Sequence, residues 1–117
     1  MNLPGVRRYG MVIMLKPEKI DDYKKLHAAV WPGVLKKIKD CHIQNYSIFL
    51  REIEPGKHYL FSYFEYTGVD FEADMAKMAA DPETQRWWKE TDPCQQAIPL
   101  RGGNEWWSRM AEVFHTA

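Results

Sequence analysis

The chain has no net charge: sixteen Lys and Arg offset sixteen Asp and Glu at neutral pH. That balance gives no electrostatic support to binding nucleic acid or an anionic membrane. Cysteine is scarce. Cys41 and Cys94 are too few for a disulfide framework and suit a reducing compartment. Long apolar runs are missing too; Met11–Leu15 falls far short of a membrane-spanning helix and better suits a strand. Within Met1–Gly10, Arg7 and Arg8 are not followed by an apolar stretch of secretory length, so a cytoplasmic protein is expected. There is no repeat, low-complexity tract or linker, and 117 residues leave no room for a second core, which makes residues 1–117 one expected domain. His27, His42, His58 and His115 show no HxH or HExxH spacing, and Cys41-His42 with Cys94 makes no zinc pattern, so no metal site is expected. Gly-rich phosphate loops and the GxSxG elbow are likewise absent.

Aromatic residues are abundant: 14% of the chain, with five Trp, six Tyr and five Phe. Each ring covers a large area, so a surplus in a small domain can line a pocket as well as a core. Tyr9–Leu15 is apolar on both alternating faces, the pattern of a strand covered on both sides. Ile20, Tyr23, His27, Val30 (or Trp31), Val34 and Ile38 then recur at helical spacing, and Pro32 should kink or split that helix near Val30–Trp31. Ile43–Glu52 and His58–Tyr66 read as strands about the turn Glu54-Pro55-Gly56-Lys57. A second helix is expected over Val69–Ala80. A third opens with Asp81 as N-cap and Pro82 at its first position, and carries Gln85-Arg86-Trp87-Trp88. Thr91–Glu105 has no period and reads as a long functional loop, and Trp106–His115 alternates as a closing strand. The order βαββαβ is ferredoxin-like α+β. Its helices cover one sheet face, and the apolar second faces call for another copy of the sheet, a homodimeric α+β barrel.

Tyr23 and His27 lie one helical turn apart on the inward face. A phenol and a ring titrating near neutrality suit proton transfer to a polyhydroxylated ligand; a packed, hydrogen-bonded pair is the simpler alternative. Trp87 and Trp88 point about 100° apart on a helix and can form a broad aromatic wall, or else anchor a short helix to the core. Tyr46 shares a strand face with Ile48 and Leu50, so its hydroxyl either enters a pocket or caps the core. Trp106 and Trp107 point to opposite faces if they lie in a strand, so one at most joins a given pocket, and both read as structural.

Taken together, Tyr23-Lys24-Lys25-Leu26-His27, Val30-Trp31-Pro32, Asn45-Tyr46-Ser47-Ile48-Phe49-Leu50, Gln85-Arg86-Trp87-Trp88-Lys89 and Glu112-Val113-Phe114 resemble the L-rhamnose mutarotase family. The resemblance runs from Arg8 to His115 and rests on the combination, since each piece alone is weak. It implies a dimeric ferredoxin-like α+β barrel that interconverts the α and β anomers of L-rhamnose or a related 6-deoxyhexose such as L-fucose, without cofactor or metal. It also implies the proton-donor role for His27, and sugar binding by Tyr23, Tyr46, Trp87 and Trp88. The Thr91–Glu105 loop and Tyr66–Asp70 depart from the shorter family members. The barrel also hosts cofactor-free or haem-dependent monooxygenases, and a non-enzymatic sugar-binding module would keep the same pocket without a titrating histidine.

Overall fold

The computed structural model describes residues 5–117. The reading of Met1–Gly10 therefore lies partly outside the described residues. One antiparallel sheet carries four helices. Its strands β1 (Arg7–Leu15), β2 (Ile43–Glu54), β3 (Lys57–Tyr66), β4 (Gln95–Gln96) and β5 (Ser108–Met110) run in the spatial order β2-β3-β1-β4, with β5 also pairing β1. The helices are α1 (Ile20–Ala28), α2 (Pro32–Asp40), α3 (Phe71–Ala80) and α4 (Pro82–Thr91). This is the ferredoxin-like α+β arrangement, with the fourth strand broken in two.

Local chemistry explains the element boundaries. Pro32 splits the long amphipathic stretch into α1 and α2 and stands at the first position of α2, where its missing N–H costs nothing. Asp70 caps α3 by accepting from the Ala73 backbone N–H at 3.1 Å, so this helix starts at Phe71 and not at Val69. Asp81 caps α4 through the Thr84 backbone N–H and hydroxyl, each at 2.9 Å, ahead of Pro82. Gly56 turns the β2–β3 hairpin at φ 76°, a conformation open to glycine.

Paired residues share a face of the sheet, and Leu50–Leu60–Ile13 lies toward the helices. There Ile13, Leu15, Leu60, Tyr23 and Cys94 form one buried cluster, and Ile43, Phe64 and Tyr66 a second. The other face presents Val12, Phe61 and Phe49 across the three long strands, with Tyr59 stacked beside Phe61 at 6.4 Å.

Two expectations at the C-terminal end need correction. The Thr91–Glu105 stretch contains a 3-10 turn (Asp92–Cys94) and β4, and the expected closing strand Trp106–His115 is regular only over Ser108–Met110. Both fragments pair with β1: β4 at Met14–Leu15 and β5 at Gly10–Val12. Met110 already lies opposite Gly10. Beyond it the chain is tied to β1 by the Arg8–Glu112 ion pair at 2.8 Å and not by a ladder, leaving Val113 and Phe114 exposed. An alternating pattern needs a backbone ladder to become a strand; β1 continues through Tyr9 to Arg7 on that side, yet past Met110 no ladder forms and only the side chains of Arg8 and Glu112 meet.

Candidate active site

Between the helices and the sheet lies a cavity of about 1000 Å³, lined by residues that include Tyr23, His27, Tyr46, Trp87, Trp88 and Gln95. Four separate elements deliver these groups, and each is held by a local device.

Helix α1 supplies Tyr23 and His27, whose rings pack at 4.2 Å between centroids, tilted by 32°. The phenol and imidazole do not hydrogen-bond to each other. Instead His27 Nδ1 lies 2.9 Å from the Tyr23 backbone carbonyl. A carbonyl can only accept, so Nδ1 carries the proton and Nε2 keeps a free lone pair. Burial lowers the His27 pKa, opposed by that backbone hydrogen bond, so the ring is neutral at pH 7. Burial also raises the Tyr23 pKa well above the ordinary phenol value; a hydrogen bond from Gln95 opposes it in part. Tyr23 therefore stays protonated.

Strand β2 supplies Tyr46 through a bulge. The register shifts between Gln44 and Ser47, and Asn45 adopts φ 49° with its amide donating to Glu65 at 2.8 Å. The extra residue brings Ile43 and Tyr46 to the same side of the sheet, with Tyr46 against Phe64 at 5.5 Å. Tyr46 is 42% exposed, yet loss of hydration pushes its phenol up to about 12. The two agree if its open surface is cavity wall, closed in by apolar neighbours and poorly hydrated.

Helix α4 supplies the paired indoles, and they divide the alternatives between them. Trp87 is 6% exposed and meets His27 edge-on at 5.4 Å and Trp31 at 5.2 Å. It is a core anchor and a cavity wall at once. Trp88 is 37% exposed on the same cavity. The C-terminal stretch adds Gln95, Trp106 and Trp107. Trp106 and Trp107 depart from the expected strand alternation: they precede β5 on bent backbone, and both line the cavity. Gln95, Asp92 and Trp106 also line the cavity, and Trp31 packs behind Trp87; spacing along the chain marks none of them. The surplus of tryptophan beside Gly102-Gly103 was the signal that could have found Trp106.

Among the described residues, no three His, Cys, Asp or Glu side chains cluster as metal ligands. The cavity instead offers a neutral imidazole base, phenols that donate, amides, and apolar aromatic walls, with one acid and one base, Asp92 and Lys39, of opposite charge in its lining. That set suits an uncharged ligand with hydroxyls along its edge and C–H bonds on its face.

Comparison with known proteins agrees. The sequence model described as L-rhamnose mutarotase matches residues 8–116. The chain belongs to the L-rhamnose mutarotase family. It is 34% identical over 114 residues to an L-rhamnose mutarotase of Oceanobacillus iheyensis, covering 94% of this chain and 98% of that protein. An Opitutus terrae protein of the same description is 38% identical over 94 residues, 80% of this chain and 83% of its own. A crystal structure of an L-rhamnose mutarotase from Formosa agariphila has the same fold, with a TM-score of 0.71 at 22% identity over 95% of this chain and 99% of that one. Membership makes the chain an isomerase acting on carbohydrate, a mutarotase.

Proposed function

We propose that this protein interconverts the α and β anomers of L-rhamnose or a closely related 6-deoxyhexose, with His27 as the proton carrier. One observation carries the reading: His27 donates Nδ1–H to the Tyr23 carbonyl, which leaves a neutral Nε2 lone pair on the wall of an aromatic cavity.

Mutarotation breaks C1–O5, turns the aldehyde over, and closes the ring on the other face. Nε2 removes the proton from the anomeric hydroxyl as O1 becomes the carbonyl oxygen. O5 leaves C1 and takes that proton from the imidazolium. Rotation about C1–C2 presents the opposite carbonyl face; O5–H then attacks C1, giving its proton to Nε2, and O1 receives it back. Both oxygens sit on C1, so one nitrogen can serve each in turn, and His27 ends neutral as it began. The Nδ1 bond to a backbone carbonyl stabilises the transient imidazolium and keeps the ring from turning. Tyr23, held protonated by its burial, orients the sugar as a hydrogen-bond donor without ionising. Trp87 and Trp88 pack against the sugar's C–H face, and Tyr46 donates to a hydroxyl.

Two features support action as a cytoplasmic homodimer joined sheet to sheet. Phe49 and Ile53 on β2 are 62% and 56% exposed, and Met110 on β5 is 41% exposed, on a sheet whose helices lie on one side. The thiols of Cys41 and Cys94 are free and buried, in keeping with a reducing compartment.

The test is His27→Asn, which keeps size and polarity but cannot titrate near neutrality. Anomer exchange, read by NMR magnetisation transfer between the two anomeric protons, falls by about 10²–10⁴-fold while sugar binding persists. Near-normal exchange in the folded variant refutes the mechanism.

A further inference from the structure

We propose that Trp106 and Gln95 are positioning residues that set the direction of the Tyr23 hydroxyl, so that its proton is presented to the sugar's ring oxygen. The proposal deepens the functional reading above and rests on Tyr23 being a donor to the sugar.

The argument begins at the indole. An indole N–H can only donate, and Trp106 Nε1 lies 2.9 Å from Gln95 Oε1. That contact decides which end of the Gln95 amide faces which neighbour. Its nitrogen therefore faces the phenol, with Gln95 Nε2 donating to Tyr23 Oη at 3.2 Å. The phenol oxygen is thus already an acceptor, and among the described residues no protein group takes its own proton.

Burial makes this direction hard to reverse. Gln95 and Tyr23 are each 5% exposed, so little water reaches the pair. Turning the amide over would set two donors face to face at Trp106, which is 39% exposed, and leave the nitrogen of the buried Gln95 without its acceptor. In the turned arrangement the phenol would donate to Gln95 and offer the sugar only lone pairs. A ring oxygen has no proton to give, so such a phenol could not engage it. The amide N–H also polarises the phenol O–H, which strengthens it as a donor.

The relay spans parts of the chain that sequence spacing does not connect. Tyr23 comes from α1, Gln95 from β4, and Trp106 from the bend before β5. The long C-terminal segment therefore helps to set up the proton geometry as well as wall the cavity.

The test is a mutant cycle with anomer exchange and KM measured together. Trp106→Phe removes the N–H and keeps a ring; Gln95→Met removes both amide ends at similar volume. Each lowers kcat about five- to tenfold, the scale of one hydrogen bond, with KM within about twofold. The loss falls on kcat because the bond to the ring oxygen strengthens as that oxygen gains charge. In the Tyr23→Phe background the same substitutions lower kcat no further, since no hydroxyl remains to be aimed. Melting temperatures accompany each variant. Full exchange in folded Trp106→Phe and Gln95→Met overturns the proposal, and so does an undiminished loss in the Tyr23→Phe background, which would mark packing alone. Normal exchange in Tyr23→Phe also overturns it, while leaving the His27 proton path standing if His27→Asn is still inactive. Normal exchange in His27→Asn strikes instead at the functional reading.

Discussion

Replacing Trp87 and Trp88 singly with Ala tests how α4 divides its work between core and sugar. Trp87 is 6% exposed and packs edge-on against two rings, His27 and Trp31. Removing a buried indole costs about 3–5 kcal/mol in lost transfer energy and cavity formation. A domain of this size has roughly 6–18 kcal/mol of stability in all, so Trp87→Ala removes a large share and lowers the melting temperature by roughly 10–20 °C. Trp88 is 37% exposed, so its removal uncovers less apolar surface and leaves an open gap, and Ala is the better helix former; the cost is about 1–3 kcal/mol, below that of Trp87. Its loss falls on the ligand: one aromatic contact is about 0.5–1.5 kcal/mol, or about two- to twelvefold in Kd. The assay pairs thermal melts by circular dichroism with sugar titrations of tryptophan fluorescence, run below each variant's melting range. Trp87→Ala should show the larger melting shift, and Trp88→Ala a smaller shift together with weakened sugar binding. Equal melting shifts for the two would refute this division of roles.

The pH dependence follows from His27. Burial lowers its pKa below the ordinary 6.5, so anomer exchange is flat from neutral pH upward and falls only as acid protonates Nε2. The same group's contribution to stability is complete above its unfolded value and lost as pH falls through the lower folded value; an exchange inflection above 6.5 would contradict the assignment. Asp81→Ala strips the cap from α4 and lowers the melting temperature, whereas Asp81→Asn, which retains an accepting oxygen, restores most of it. Sedimentation at micromolar concentration should show twice the chain's mass, and Phe49→Glu, a charge on the open sheet face, should halve it; a native monomer would remove the basis for the sheet-to-sheet dimer.

Where the chemistry is local, the residues foretold the structure. Pro32 breaks a helix whatever surrounds it, because a missing N–H and a ring clash are properties of one residue and its own turn. Asp81-Pro82 starts α4 for the same reason, and the apolar spacing of Ile20, Tyr23 and His27 put the phenol and imidazole on the inward face. Tertiary structure decided whatever depended on a partner. The spacing of Tyr23 and His27 suggested a side-chain pair, but packing set the rings against each other at a tilt and pointed the imidazole N–H at a backbone carbonyl, which sets the tautomer. Alternation over Trp106–His115 could not reveal that the backbone pairs with β1 only over Ser108–Met110. The turn of Asn45 into positive φ aims Tyr46, and the buried amide of Gln95 links residues 72 and 11 positions away in the chain. Such contacts have no signature in spacing, because a hydrogen bond across a cavity depends on where the backbone brings two atoms and on how little water is left to compete for them.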